Sequence, residues 1–276
     1  MMEELVISSA QNPKIKRLLL LQQKSSERRK QGVFVVEGRR ELEHCIEAGY
    51  EAESIFVSEQ FTTNSEKLNE QLKAMASNAS CLLFTVSCSL YEKIAYRGST
   101  EGVVAIMKSR QLSLDDLPLS EHPLIVVLES VEKPGNLGAV LRSADAAQAD
   151  AVIVCDPLTD LYNPNLIRSS IGAVFTVPTI ACSSEECIAF LKSKGIQILT
   201  AQLQDSRLYY DTPMTHGTAI VMGTESTGLT NQWRQAADAH IRIPMLGRLD
   251  SLNVSVSAAI LLFEAVRQRQ AFHGNQ

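Results

Sequence analysis

The sequence predicts a two-domain α/β protein. Helical and extended patterns alternate along most of its 276 residues, the alternation lapses once in a polar segment holding Pro118 and Pro123, and it then restarts. A chain of this length exceeds the usual single domain of roughly 100–150 residues, so two cores are expected. With 45% hydrophobic and 21% charged residues and no low-complexity tract, the composition is that of an ordinary globular protein. Residues 1–110 are assigned to a first, smaller α/β domain, 111–123 to a linker and 124–276 to a second domain with a mostly parallel sheet flanked by helices.

In the first domain a basic amphipathic stretch runs from Pro13 to Lys30, followed by an apolar run Val33 to Val36 and a helical pattern Arg39 to Glu47. Ser54 to Val57, Leu82 to Val86 and Val103 to Met107 read as strands, with helices Ser65 to Ser77 and Leu90 to Ala95 between them. In the second domain, strand Leu124 to Leu128 leads through a turn into a helix from Leu137 to Gln148, and Ala151 to Cys155 is the next strand. A helix near Asn165 to Ile171, an extended Val174 to Ile180 and a helix Ser184 to Lys194 ending at Gly195 follow. Strands Ile196 to Thr200, Ala219 to Met222 and Ala239 to Ile243 precede a long apolar helix, Leu252 to Gln270, for which Ser251 is the expected N-cap.

A net charge of −5 argues against a polyanionic partner only if the charge is evenly spread, and it is not. Residues 1–40 hold nine Lys/Arg against four acids, leaving 17 basic residues against 27 acidic ones elsewhere. Local charge decides phosphate contact, because interactions are screened beyond about 8–10 Å. A solvated basic helix face explains the same residues equally well. Apolar runs such as Ala258 to Phe263 fall far short of the roughly 20 residues that cross a bilayer, and no basic-then-apolar leader opens the chain, so a cytoplasmic protein without a membrane partner is expected. The six cysteines form no C-x-x-C pair and the five histidines no i, i+4 pair, which points to reduced core thiols and no metal. Neither G-x-G-x-x-G nor a phosphate loop is present, which disfavours a dinucleotide-binding dehydrogenase or a nucleotide hydrolase.

Three stretches concentrate residues suited to chemistry. Glu129 to Arg142 (ESVEKPGNLGAVLR) runs from a strand end into a helix, where free amides and the helix dipole gather in open α/β sheets. Arg142 projects from that helix as a phosphate-gripping guanidinium, although a turn using Asn and Gly for conformation alone explains the stretch as well. Met222 to Leu229 (MGTESTGL) follows a strand; Gly223 admits close backbone approach to a ligand and Glu225 accepts from a hydroxyl or amide, or the stretch is a tight turn. Ile243 to Ser257 (IPMLGRLDSLNVSVS) sets Asn253, Ser255 and Ser257 after a loop with Pro244 and Gly247, a pattern that also fits capping and helix packing.

Taken in order, these residues resemble the three motifs of the SpoU/TrmH class of methyltransferases, within the SPOUT superfamily. N-x-G-A-x-x-R is met by Asn136, Gly138, Ala139 and Arg142, G-x-E-x-x-G by Gly223, Glu225 and Gly228, and I-P-M-x-G-x-x-x-S-L-N-V-S-V by Ile243 through Val256. The resemblance covers residues from about 121 to 270. Ser8 to Lys16 (SSAQNPKIK) and Phe34 to Arg39 (FVVEGR) are similar to the substrate-binding domain of some members. Lys133 departs from the acidic residue that often precedes the proline of the first motif.

The resemblance implies a trefoil-knotted SPOUT domain preceded by a smaller RNA-binding domain. It further implies S-adenosylmethionine as cofactor, methyl transfer to a ribose 2′-hydroxyl of RNA (ribosomal ahead of transfer RNA), and a homodimer with the site beside its interface. It places the cofactor against Thr200, Ala201, Gly223, Ile243, Met245, Leu252 and Asn253, and the chemistry with Arg142, Asn136, Glu225, Ser251 and Asn253. Lys14, Lys16, Arg17, Arg28, Arg29 and Arg39 are the candidates for RNA contact. Arg142 either activates the hydroxyl or grips the adjacent phosphate, and a guanidinium with a pKa above about 12 favours the grip. A non-catalytic RNA-binding or ribosome-assembly protein of the same fold is the alternative; intact motifs favour the enzyme.

Overall fold

The computed structural model describes residues 5–61, 70, 72, 74, 81–95, 101–110, 112–224 and 227–273. They form two compact units, 1–111 with 162–176, and 112–161 with 177–276. The expected helix Ser65 to Ser77 lies largely outside the described residues.

The first unit is built on a mixed sheet. In chain order its strands are β1 (Leu5–Ile7), β2 (Val33–Glu37), β3 (Ala52–Ser58), β4 (Leu82–Val86) and β5 (Val103–Lys108), arranged β1-β4-β3-β5-β2 among the described residues. β1, β4 and β3 run parallel, and β5 is antiparallel to both β3 and β2. The basic stretch divides into α1 (Pro13–Gln23) and α2 (Ser25–Gln31) because Lys24 is extended between them. Asn12 caps α1 by accepting from Lys14 N at 2.9 Å, and Pro13 suits the first turn, where no N–H partner is needed. Ile15, Leu18 and Leu21 bury one face of α1 against Val33, Val35, Phe56 and Phe84. α3 (Arg39–Glu47) and α4 (Cys88–Ile94) are further helices of this unit.

Residues 162–176 belong to this unit by their packing, although the pattern of the sequence puts them in the second domain. They form α6 (Pro164–Ser169) and α7 (Ala173–Thr176). Tyr162 stacks on Phe34 at 4.2 Å between ring centroids, its hydroxyl donates to Arg110 O at 2.9 Å, and Phe175 meets Tyr50 edge-on at 5.3 Å. The extended segment expected at Val174 to Ile180 is therefore corrected. Gly172, at φ +81, lets the chain start a second helical turn, Phe175 buries, and the strand begins only after Pro178.

The second unit carries a seven-stranded, wholly parallel sheet. Its strands are β6 (Leu124–Glu129), β7 (Ala151–Cys155), β8 (Thr179–Cys182), β9 (Gln197–Ala201), β10 (Arg207–Leu208), β11 (Thr218–Met222) and β12 (Ala239–Arg242), ordered β10-β12-β9-β11-β6-β7-β8. β6, β7 and β11 are buried along their whole length, which is why they read as unbroken apolar runs instead of alternating ones. α8 (Ser184–Ser193) and α9 (Asn231–Ala236) cover one face, with Cys187, Leu191 and Trp233 packed on Ile125, Ile153 and Val221. α5 (Pro134–Ala146) and α10 (Val254–His273) pack on each other and against β7 and β11. Because every strand is parallel, the C-terminal ends of β6, β9, β11 and β12 share one edge.

The expected linker belongs to this unit. Ser113 and Asp116 close a capping box around the turn Leu114–Asp116, and Leu114, Leu117 and Leu119 pack against the second unit's core. The N-cap of α10 is Asn253 and not Ser251: Asn253 Oδ1 accepts from Ser255 N at 3.0 Å, and Ser251 stands two residues too early. Arg269 ties the far end of α10 down by donating to four carbonyls, His122 O (2.6 Å), Pro123 O (3.2 Å), Met214 O (2.9 Å) and His216 O (2.9 Å), and burial holds its pKa below the ordinary value. A lysine has no planar fork to reach four acceptors, so Arg269→Lys is expected to lower unfolding stability by about 2 kcal/mol, read by urea denaturation.

Candidate active site

Two adjoining cavities open at the C-terminal edge of the parallel sheet. The larger, about 290 Å³, is lined by residues at and beyond three strand ends, Ala201 at the end of β9 and Gln202 to Gln204 after it, Gly223, Thr224, Gly228 and Leu229 after β11, and Ile243 and Met245 after β12, with Asp250 to Leu252 leading into α10. The smaller, about 140 Å³, is lined by Val131 to Lys133 from the loop after β6, by Asn136 in the first turn of α5, by Gly223 and Thr224, and by Val254. Gly223, Thr224 and Val254 line both. Residues from all three stretches singled out in the sequence thus meet at one place.

Their hydrogen bonds show what holds them. Asn253 Nδ2 donates to Asn136 Oδ1 at 3.2 Å, joining the first and third stretches across 117 residues, while Asn253 Oδ1 accepts from Ser255 N and, at 2.6 Å, from Ser255 Oγ. Asn253 therefore both caps α10 and orients Asn136. At Gly223 a Cβ would stand 2.2 Å from Gly228 O, 2.3 Å from Gly228 C and 2.6 Å from Leu229 N, so only glycine lets the two ends of this loop close on each other. Thr224 and Gly228 form an antiparallel bridge that seals the turn.

Of the residues the sequence assigns to a cofactor, Ala201, Gly223, Ile243, Met245 and Leu252 line the larger cavity, as does Ser251. Thr200 does not. Its fully buried side chain lies 2.6 Å from His240 Nδ1 on the neighbouring strand, behind the cavity wall. Asn253 sits beside the cavities and not in their lining, and Asn136 lines the smaller one. Arg142 is exposed on α5 and lines neither cavity. Glu225 lies outside the described residues.

Local pattern missed Gln202 and Arg234. Both line the larger cavity, and Gln202 Oε1 and Arg234 Nε are buried there without a hydrogen-bond partner. Their only signal in sequence is that Gln202 follows the end of β9, a place where parallel sheets bind ligands. The cysteines also gain a neighbourhood the sequence concealed: the sulfurs of Cys155, Cys182 and Cys187 lie within 4.8 Å of one another, yet Cys155 and Cys187 belong to the apolar core and none of the three lines either of these two cavities.

The basic residues of the first unit separate into two groups. Lys14, Lys16 and Arg29 are exposed. Arg17 pairs with Glu53, which holds that carboxyl below its ordinary pKa, and Arg39 donates to Glu101 O at 2.8 Å. Arg28 is corrected from a candidate RNA contact to a structural residue. It is 4% exposed, and its Nη1 donates to Leu21 O at 2.6 Å, capping the C-terminus of α1.

Comparison with known proteins places the chain among methyltransferases. Residues 123–263 match the SpoU rRNA Methylase family, and residues 12–105 match the MRM3-like substrate binding domain. The chain is 28% identical over 257 residues, 93% of its length and 97% of the relative's, to 23S rRNA (guanosine(2553)-2'-O)-methyltransferase RlmP of Bacillus subtilis. Among solved structures it is similar to an RNA 2'-O ribose methyltransferase, with 39% identity, a TM-score of 0.81, and 96% of this chain and 100% of that one covered. It is also similar to an AdoMet-bound rRNA methyltransferase from Sinorhizobium meliloti, with 28% identity, a TM-score of 0.86, and 95% and 97% covered.

Proposed function

Because this chain belongs to the SpoU rRNA Methylase family, we propose that it transfers a methyl group from S-adenosylmethionine to a ribose 2′-hydroxyl of ribosomal RNA. The observation that carries the reading is the meeting of three distant loops around two adjoining cavities, one sized for a cofactor and one beside it for the acceptor. S-adenosylmethionine, when bound, supplies a methyl group on a sulfonium centre that leaves as a neutral thioether.

The chain's own residues do the positioning. Backbone around Ala201, Gly223, Ile243, Met245 and Leu252 would hold the cofactor. Asn136, fixed by Asn253, faces the acceptor side, where Lys133 adds positive charge toward phosphate. Arg142 grips the phosphate next to the target ribose and orients its hydroxyl; Glu225 and Ser251 arrange the same site. In-line approach is the larger part of the task, since holding two reactants in geometry replaces a bimolecular encounter. The knotted path of SPOUT enzymes goes with this reading.

We place Arg142 across a homodimer interface. Leu246 and Leu249 are 97% and 76% exposed in the loop before α10, and Val256 and Phe263, seven residues apart on one helix face, are about half exposed. This apolar strip borders the larger cavity through Met245 and Leu252, so a second copy covering it stands next to the cofactor. Among the described residues no helix is long and apolar enough to cross a membrane, and an rRNA substrate puts the protein in the cytoplasm.

Isothermal calorimetry tests the cofactor half of the proposal, with one S-adenosylmethionine bound per chain as the expected result and no binding as the contrary one. The exposed cations of the first unit test the RNA half. Lys16→Ala is expected to reduce the slope of log affinity against log salt by about one, the value for a lost phosphate contact. Arg28→Ala should leave that slope unchanged and lower the melting temperature instead.

A further inference from the structure

The loop between β11 and α9 is attached at both ends to consecutive residues of a single strand. Where it leaves the sheet, Met222 is the register partner of Leu128 on β6. Where it returns, Thr230 meets the next residue, Glu129: Thr230 N donates to Oε2 at 2.9 Å and Thr230 Oγ donates to Oε1 at 2.7 Å. Glu129 is 2% exposed at the end of β6. Ser184 Oγ stands 3.4 Å from Oε1, but its proton serves Asp156 Oδ2 at 2.6 Å while Trp233 Nε1 donates to it at 3.0 Å. Thr230 is thus the principal partner of this buried carboxylate. Between the two attachments lie Gly223, Thr224, Gly228 and Leu229, all lining the larger cavity, and the backbones at Gly223 and Gly228 already press together without room for a Cβ. A loop closed so tightly has its width set by its two anchors.

We infer that Glu129 is a positioning residue for cofactor binding: its two-pronged hold on Thr230 fixes the return of the 223–229 loop and so the wall of the larger cavity. The inference rests on the reading that this loop faces S-adenosylmethionine. It assigns no step in methyl transfer to Glu129, which lines neither cavity. The same strand end continues into Val131 to Asn136, so one carboxylate anchors the cofactor loop next to the start of the acceptor loop.

Glutamine is a built-in control. Its oxygen can take the Thr230 N–H, and its amide can donate to a rotated Thr230 hydroxyl, whereas alanine loses both bonds. Glu129→Ala is expected to raise the calorimetric Kd and the KM for S-adenosylmethionine about tenfold with kcat within about twofold, the scale of a lost charge-assisted bond. Glu129→Gln should recover to within about threefold of the native protein, and Thr230→Val, which keeps the N–H bond and the fold, should weaken binding about three- to fivefold. The double variant Glu129→Ala with Thr230→Val should be no worse than Glu129→Ala alone, as two ends of one interaction require. A purely structural Glu129 would lower the melting temperature and leave Kd unchanged. The inference is overturned if Glu129→Ala and Thr230→Val both bind within twofold of native while Gly223→Ala does not bind. If Gly223→Ala also binds normally, the cofactor reading of the loop fails with it.

Discussion

Gly223→Ala is expected to eliminate measurable S-adenosylmethionine binding in a protein that still folds. The added methyl carbon would lie 2.2–2.6 Å from three backbone atoms of Gly228 and Leu229, and backbone, unlike the end of a side chain, has no rotamer to retreat into. The return of the loop must move outward by about 1 Å, a displacement worth on the order of 100-fold when it affects a precisely placed site. Met222 and the buried strand behind it are untouched, so the core remains and circular dichroism should be native. Retained affinity in the alanine variant would mean that the larger cavity is not the cofactor site.

Arg142→Ala is expected to lower turnover by about 100- to 1,000-fold while leaving cofactor affinity unchanged, as loss of a group that grips the neighbouring phosphate and orients the reacting hydroxyl does. Arg142 is exposed and lines neither cavity of its own chain, the observation behind the proposal that it acts in the partner's site of a dimer. Mixing Arg142→Ala with Gly223→Ala chains distinguishes the two arrangements. Each mixed dimer would hold one complete site, with cofactor walls from the first chain and Arg142 from the second. Activity should then return to about a quarter of native, the share expected when half the dimers are mixed and one of their two sites is whole. If Arg142 serves its own chain, mixing restores nothing.

Much of this was legible in the sequence because parallel strands declare themselves as short unbroken apolar runs and ligands bind past their C-terminal ends. The strands at Leu124 to Leu128 and Ala219 to Met222 follow from that pattern. What stayed hidden depends on pairing between distant residues. Glu129 reads as the last residue of a strand until Thr230 arrives 101 residues later, and Asn253 reads as one of several polar helix residues until its bonds to Ser255 and Asn136 distinguish it from Ser251. Thr200 has the position of a cavity residue, but only the register of β9 with β12 shows its hydroxyl committed to His240. Arg28 looks like its neighbour Arg29 in a basic run, and only the packing of α2 against the end of α1, where Arg28 donates to Leu21 O, distinguishes the buried residue from the solvated one. Residues 162–176 fall within the second domain by sequence order, and only the aromatic stacking on Phe34 shows that they pack with the first unit.

The central claim is that a ribose hydroxyl of ribosomal RNA receives the methyl group. The most direct measurement incubates the protein with methyl-labelled S-adenosylmethionine and, separately, unmodified ribosomal and transfer RNA, followed by alkaline hydrolysis. A 2′-O-methyl blocks cleavage of the adjoining phosphodiester, so label recovered in alkali-resistant dinucleotides of ribosomal RNA is the predicted result. Label released in mononucleotides would place the methyl on a base and contradict the account, and dinucleotide label from transfer RNA alone would contradict the assigned substrate.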